Sequence, residues 1–253
     1  MNNLKITVVT ICYNALDTIE STMLSVFDQT YDNIEYIIID GGSTDGTVDI
    51  IKKYADRLTY WVSEPDRGIY DAMNKGIAAA TGDYINFMNA GDKFARTDVI
   101  AQICDSVEKK TDIVYGDYYI LNDKKSKYPI YTKPQTISKV ISKVISKSPI
   151  CHQATFTRTE YLKTYPFDLK FKICADWNSF RKGFLEDGLV FQYVALPICY
   201  FDSNAGMSHD NLDLLYKERY MGLGIEHKFF HKLPHEIIRY GVHLKRHLLR
   251  LLH

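Results

Sequence analysis

The chain has 253 residues, enough for one large domain or two small ones. Lys plus Arg and Asp plus Glu both number 31, so the formal net charge is zero, which excludes a general nucleic-acid binder with a basic surface. The hydrophobic fraction of 46% excludes global disorder and allows a large buried core.

In chain order, the first 120 residues alternate between two periods. The β-branched run Ile6 to Ile11 predicts a strand buried on both faces, not a signal peptide. Leu16, Ile19, Met23, Val26 and Phe27 recur at helical spacing, with Asn14 as the expected N-cap. A second buried strand runs from Ile34 to Ile39 and ends at Asp40. The turn Gly41-Gly42-Ser43-Thr44-Asp45-Gly46 leads into a helix from Val48 to Tyr54. Tyr60 to Ser63 predicts a short strand, and Ile69, Ala72, Met73, Gly76, Ile77 and Ala80 form a helical stripe. Tyr84 to Met88 and Ile113 to Tyr119 read as strands around a helix from Val99 to Val107.

This alternation predicts an α/β domain with a largely parallel sheet and helices on both faces. The second half is less regular. ISKVISKVISK, residues 137–147, reads as a basic amphipathic helix or a loop. Ile150 to Thr157 predicts a strand carrying Cys151-His152-Gln153, Ala175 to Leu185 a helix with Asp176 in its first turn, and Leu189 to Tyr200 a strand interrupted by Pro197. Residues 208–253 carry a helical pattern only. The five Cys show no C-x-x-C spacing, which predicts a reduced, cytoplasmic compartment. No apolar stretch reaches the length of a membrane span.

In parallel α/β sheets ligands bind beyond the carboxyl ends of the strands. The polar groups that close the strands are Thr10 to Asn14, Asp40, Glu64 to Arg67, and Asn89 to Asp92, and all four are expected on one rim. A G-x-G-x-x-G fingerprint, a P-loop and a G-x-S-x-G elbow are all missing, which excludes the dinucleotide, P-loop and esterase readings. An Asp, Asn and Tyr rim suits a nucleotide held without a glycine-rich phosphate loop.

VVTICYNALDTIESTMLSVFDQTYDNIEYIIIDGGSTDGT (residues 8–47) and EPDRGIYDAMNKGIAAATGDYINFMNAGD (residues 64–92) resemble the opening blocks of family-two inverting glycosyltransferases. The bacterial branch that builds capsule, exopolysaccharide and O-antigen is the most similar. ICHQATF (150–156) and CADWNSF (174–180) extend the resemblance. It implies one GT-A domain over residues 1–207, with a nucleotide-sugar half (1–120) and an acceptor half (121–207), followed by a helical tail (208–253).

The resemblance also implies roles. Asp40 contacts the uracil or ribose of the donor, its alternative being a turn cap. Thr10, Tyr13 and Asn14 cradle the base, and Tyr13 can stack on it. Asp66 binds ribose or sugar, and Arg67 offsets diphosphate charge. Asp71 and Lys75, at i, i+4, read as a surface pair, with Asn74 and Lys75 reaching the donor as the alternative. Asn89-Ala90-Gly91-Asp92 stands where the family carries D-x-D-D. Asn replaces the first Asp and Gly the second, so an Mn²⁺ or Mg²⁺ ion is left with Asp92, Asn89 and His209 as candidate ligands. Asp176 is the expected base that deprotonates the acceptor hydroxyl, with His152 the runner-up. His152, Gln153 and Trp177 are expected on the acceptor side, Trp177 as an apolar platform for a sugar ring.

Residues 226–253 hold six basic and two acidic residues and six of the eight His. With interleaved Leu, the tail reads as a peripheral contact with an anionic membrane, which suits a lipid-linked acceptor, or as a packed helix or oligomer contact. Its His spacing fits a metal site poorly, because Pro234 interrupts it. Two other functions compete. A sugar-phosphate nucleotidyltransferase would carry a glycine-rich, Arg-containing loop where this chain has Cys12-Tyr13-Asn14-Ala15. A non-catalytic nucleotide- or glycan-binding relative is suggested by the missing carboxylates at 89 and 91.

Overall fold

A computed structural model describes residues 3–121, 150–202 and 211–224. Among these described residues, eight strands form one sheet in the order β3-β2-β1-β4-β7-β6-β8-β5. They are β1 (Ile6–Cys12), β2 (Ile34–Asp40), β3 (Tyr60–Ser63), β4 (Tyr84–Phe87), β5 (Lys93–Phe94), β6 (Ile113–Ile120), β7 (Thr155–Arg158) and β8 (Phe191–Phe201). The helices are α1 (Ile19–Phe27), α2 (Thr47–Lys53), α3 (Ile69–Ala79), α4 (Val99–Ser106), α5 (Thr159–Thr164), α6 (Ala175–Leu185) and α7 (Leu212–Gly222).

Every residue of β1 is buried, as its unbroken apolar run requires. Ile6 and Val8 face one core, against Ile19 and Met23 of α1 and Ile100 and Ile103 of α4. Val9 and Ile11 face the other, against Met73 and Ile77 of α3 and Trp177 of α6. The sheet is thus covered on both faces. A Cβ at Gly76 would stand 2.5 Å from Val9 Cγ1, so α3 lies directly on β1 only because that position is glycine.

β1 pairs in parallel with β2 and β4, and β2 with β3. The sheet is not parallel throughout. β7 enters between β4 and β6 and runs antiparallel to both, and β5 runs antiparallel to β8. The architecture is therefore a mixed α/β sheet. Cys151-His152-Gln153 are not on a strand: His152–Ala154 form a 3-10 turn ahead of β7. Pro197 sits inside β8 where the register with β6 shifts, so the strand tolerates it at an irregularity.

Asn14 does not cap α1. Thr18 holds the cap position without a side-chain bond, and Asn14 takes φ 47°, a left-handed conformation that Asn tolerates better than most residues. The segments ISKVISKVISK, the residues around His209 and the basic tail lie outside the described residues. Between 211 and 224, α7 agrees with the helical reading of the C-terminal part. No helix among the described residues is long and apolar enough to cross a membrane.

Candidate active site

The strands of the first half end together. Cys12, Asp40 and Ser63 are register partners across β1, β2 and β3. The loops that follow continue the ladder, with Gly41 N donating to Cys12 O and Ala90 N to Ile11 O. The loop after β1 is tied to the loop after β2: Asn14 N donates to Ser43 Oγ at 2.7 Å, and Asn14 Oδ1 accepts from Thr44 N at 3.0 Å.

Asp40 anchors this junction from below. It is fully buried, and its carboxylate accepts from Gly42 N, Ser43 N, the Ser43 hydroxyl and, at 2.6 Å, the Ser63 hydroxyl. Burial pushes its carboxyl up, but the bonds from Ser43 and Ser63 outweigh that and hold it below the ordinary range. With its oxygens committed to the turn, Asp40 shapes the rim and does not present a free carboxylate to a donor. Thr10 is also removed from the rim. It lies buried on the α1 face of β1, bonded to Met88 O at 2.8 Å and the Tyr36 hydroxyl at 2.9 Å.

The groups that do face outward are Tyr13 and Asp66. Tyr13 is 66% exposed. A Cβ at Gly41 would lie 2.5 Å from Asp66 Oδ2 and 3.3 Å from Tyr13 Cδ2, so the two side chains meet over the bare Gly41 backbone. Asp66 is oriented by Gly68 N, 2.8 Å from Oδ1. Arg67 is exposed and pairs with Asp71 at 2.8 Å. The expected Asp71–Lys75 pair is not made: Lys75 bonds Glu64 at 2.7 Å, and Asn74 bridges the Phe167 backbone in both directions.

Beyond β4, four residues far apart in sequence form one hydrogen-bonded chain. Tyr70, in the first turn of α3, donates its hydroxyl to Asp176 Oδ1 at 2.7 Å. Asp176, in the first turn of α6, accepts at Oδ2 from His152 Nδ1 at 2.9 Å. His152 Nε2 lies 3.1 Å from the side-chain nitrogen of Asn89. An ionised Asp176 carboxylate can only accept, so His152 Nδ1 carries the proton directed at it. Burial opposes charge on both partners. The His152 bond nevertheless holds the Asp176 carboxyl below its ordinary range, and the Asp176 carboxylate raises His152. The His152 and Asp176 side chains are 17% and 15% exposed, which leaves the pair reachable from solvent.

Three further residues expected at the site are placed inside the protein. Trp177 is buried in the core under Arg219, so it offers no platform to a sugar. Gln153 is buried and braces Asp92, its Nε2 2.9 Å from Asp92 Oδ2. Asp92 is 3% exposed, and its other oxygen accepts from Asp202 N at 2.8 Å. Burial pushes its carboxyl up to about 6. Gly91 takes φ 101°, where an Asp would be strained, so this turn has no place for the family's second carboxylate.

Of the residues expected to hold a divalent ion, Asp92 and Asn89 are described, and both are engaged within the protein. Asp92 has both oxygens engaged, and Asn89 is bonded to His152. Its Oδ1 is buried without a hydrogen-bond partner among the described residues, but one neutral amide oxygen is not a ligand set. No three His, Cys, Asp or Glu among the described residues gather as a metal site. His209 lies outside them.

Two contributors escaped the sequence reading. Tyr70 lies beside the predicted apolar stripe of α3 but is not one of its residues, and nothing in the spacing singles it out. Glu218 of α7 accepts from the backbone amides of Lys172, Ile173 and Cys174, which fixes the loop that delivers Asp176.

Comparison with known proteins agrees with this architecture. The model of Glycosyl transferase family 2 matches residues 7–176. An uncharacterised glycosyltransferase of Mycobacterium tuberculosis is 34% identical over 212 residues, covering 81% of this chain and 77% of that protein. A PGL/p-HBAD biosynthesis glycosyltransferase of Mycobacterium bovis is 28% identical, covering 81% and 80%. Among solved structures, Staphylococcus aureus TarS residues 1–349 with UDP superposes with a TM-score of 0.64 at 17% identity, covering 86% of this chain and 66% of that one. The mannosyltransferase PcManGT of Pyrobaculum calidifontis, with GDP-Man and Mn²⁺, gives 0.63 at 18% identity, covering 86% and 70%. These two likenesses show the fold, GT-A. The chain belongs to glycosyl transferase family 2 and is a glycosyltransferase.

Proposed function

We propose that this glycosyltransferase moves a sugar, with inversion, from a nucleoside-diphosphate donor onto a hydroxyl of a bacterial surface-glycan precursor. UDP is the favoured nucleotide. The observation that carries the reading is the Asp176–His152 contact of 2.9 Å, a carboxylate–imidazole pair held beside the strand ends and still open to solvent. In-line displacement needs one group that removes the acceptor proton as the oxygen attacks the anomeric carbon, and this pair supplies it.

Tyr13 and Asp66 would receive the nucleoside, the ring stacking on the base and the carboxylate accepting from ribose hydroxyls. The exposed Arg67 would turn from Asp71 to the diphosphate, as a guanidinium suits paired phosphate oxygens. The relatives named for PGL/p-HBAD biosynthesis and the TarS complex with UDP support the glycan and donor classes. A lipid-linked acceptor would agree with the basic, Leu-rich composition of residues 226–253.

The test is proton NMR of the product formed from α-linked UDP-GlcNAc and UDP-glucose with a glycan-precursor panel. A β-linked product by wild type, lost in Asp176→Asn, is expected. An α-linked product contradicts inversion. UDP binding without turnover of either donor would count against these two donor sugars.

A further inference from the structure

Tyr70 directs its hydroxyl at the one carboxylate that the transfer needs. We propose that Tyr70 is a positioning residue for the reaction: its hydroxyl sets the plane of the Asp176 carboxylate toward the acceptor, and donor binding does not depend on it. This deepens, and rests on, the inverting-transfer reading with Asp176 as the base.

The ring of Tyr70 has one place to lie. Tyr70 is 5% exposed, and its ring packs on Phe167 at 5.4 Å between centroids. Phe167 packs in turn on Phe87 of β4 at 5.7 Å. Asn74, one turn along α3, holds the Phe167 backbone by bonds of 2.8 and 2.9 Å. With the ring fixed, the hydroxyl meets Asp176 Oδ1 at 2.7 Å. Burial and the neighbouring Asp176 charge raise the phenol well above its ordinary range, so it keeps its proton and donates.

The carboxylate needs such a partner, because the terminal torsion of an Asp side chain is broad. Its backbone is fixed separately, by the three amides from Lys172 to Cys174 that bond Glu218. Glu218 therefore places the start of α6, and donors to the two oxygens set the side-chain plane. Tyr70 serves Oδ1 and His152 serves Oδ2. An ionised carboxylate has about four lone-pair sites, so lone pairs remain for an acceptor hydroxyl.

Tyr70 also ties the base to the donor loop. It follows Gly68, whose amide orients Asp66, and adjoins Asp71, which holds Arg67. The first turn of α3 thus carries the Asp66–Arg67 loop ahead of it and the support of the base on Tyr70. In the step, the acceptor O–H bond breaks and its proton bonds to the Asp176 carboxylate. The freed oxygen pair bonds to the anomeric carbon, and the bond from that carbon to the diphosphate oxygen breaks with its pair. The carboxyl returns its proton to water, and the Tyr70 proton stays on its oxygen throughout.

The test uses Tyr70→Phe in the full chain, which keeps the ring and removes the hydroxyl. Crystal structures of wild type and variant, both with UDP, are compared first. A turned Asp176 carboxylate beside an unmoved Phe ring is expected, and a carboxylate in the same plane in both proteins overturns the proposal. UDP release from UDP-GlcNAc and UDP-glucose is then measured, with UDP affinity from calorimetry. A kcat lower by about 10–100-fold, with donor KM and UDP affinity within about twofold, is expected. An unchanged kcat overturns the proposal. So does a loss of UDP affinity as large as the loss of kcat, which a general loosening of α3 would produce. Asp176→Asn is measured beside it: turnover that survives there strikes the base assignment itself, whereas loss there with an unchanged Tyr70→Phe strikes the role of Tyr70 alone. Absence of wild-type turnover with both donors counts against these donor sugars, and a turned carboxylate in the variant then still supports Tyr70.

Discussion

Gln153 Nε2 donates to Asp92 Oδ2 at 2.9 Å, and this bond closes the turn where the family's acidic motif is expected to open toward a cation. The carboxylate is used to join the turn after β4 to the turn before β7. Its cost is visible in the upward shift to about 6, from an ordinary 3.8.

That shift has a sign. A carboxyl raised by folding stabilises the protein most below its unfolded value, and the contribution is lost as pH rises through about 6. Near neutrality the ionised form costs about 3 kcal/mol relative to an unperturbed Asp. Asp92→Asn, with the Gln153 amide turned to match, is expected to flatten the stability loss between about pH 4 and 7. Melting temperatures of both proteins at pH 5 and 7.5 check this, and an unchanged pH dependence in the variant contradicts it.

Gly41 and Gly76 separate binding from folding. Gly41→Ala would push against Asp66 Oδ2 at 2.5 Å, a side chain on the rim. About a tenfold loss of UDP affinity with little change in melting temperature is expected. Gly76→Ala would push against Val9 in the core, also at 2.5 Å, and should instead destabilise by about 1–3 kcal/mol. Calorimetric titration with UDP and thermal melts of both variants distinguish the two.

Far from the rim, Glu35 is buried and accepts from Thr7, Lys5 and both the amide and hydroxyl of Thr81. Burial works against its charge, but those bonds lower its carboxyl from 4.5 to about 2. A lowered carboxyl stabilises above its unfolded value, and the benefit is lost as pH falls from about 4.5 toward 2. The stabilisation is about 3 kcal/mol at neutral pH. Glu35→Gln should remove most of it near pH 7 and little near pH 2, measured by urea unfolding at each pH.

The local elements were legible because burial on both faces leaves its mark directly on the chain. β1 and β2 follow from unbroken apolar runs, and α6 with Asp176 in its first turn follows from periodicity. The place of β7 was not legible, since the choice between a parallel and an antiparallel neighbour for β4 rests on pairing with residues about 70 positions away. The site divides in the same way. Tyr13, Asp66 and Asp176 were named as candidates from their position at element ends. For Asp40 a turn cap was the stated alternative, and that is the bonding found; that Gln153 would donate to Asp92 was not legible. Spacing does not reveal which hydrogen bonds a buried carboxylate has already made. The Tyr70–Asp176 bond, which spans 106 positions, carries no sequence signal at all.

The most direct measurement compares UDP release from UDP-GlcNAc and UDP-glucose by wild type and by Asp176→Asn, with UDP binding by both confirmed calorimetrically. Wild-type turnover that falls about 10²–10⁴-fold in a variant still binding UDP is the expected result. Equal turnover by the two proteins would contradict the placement of the reaction at the Asp176–His152 pair.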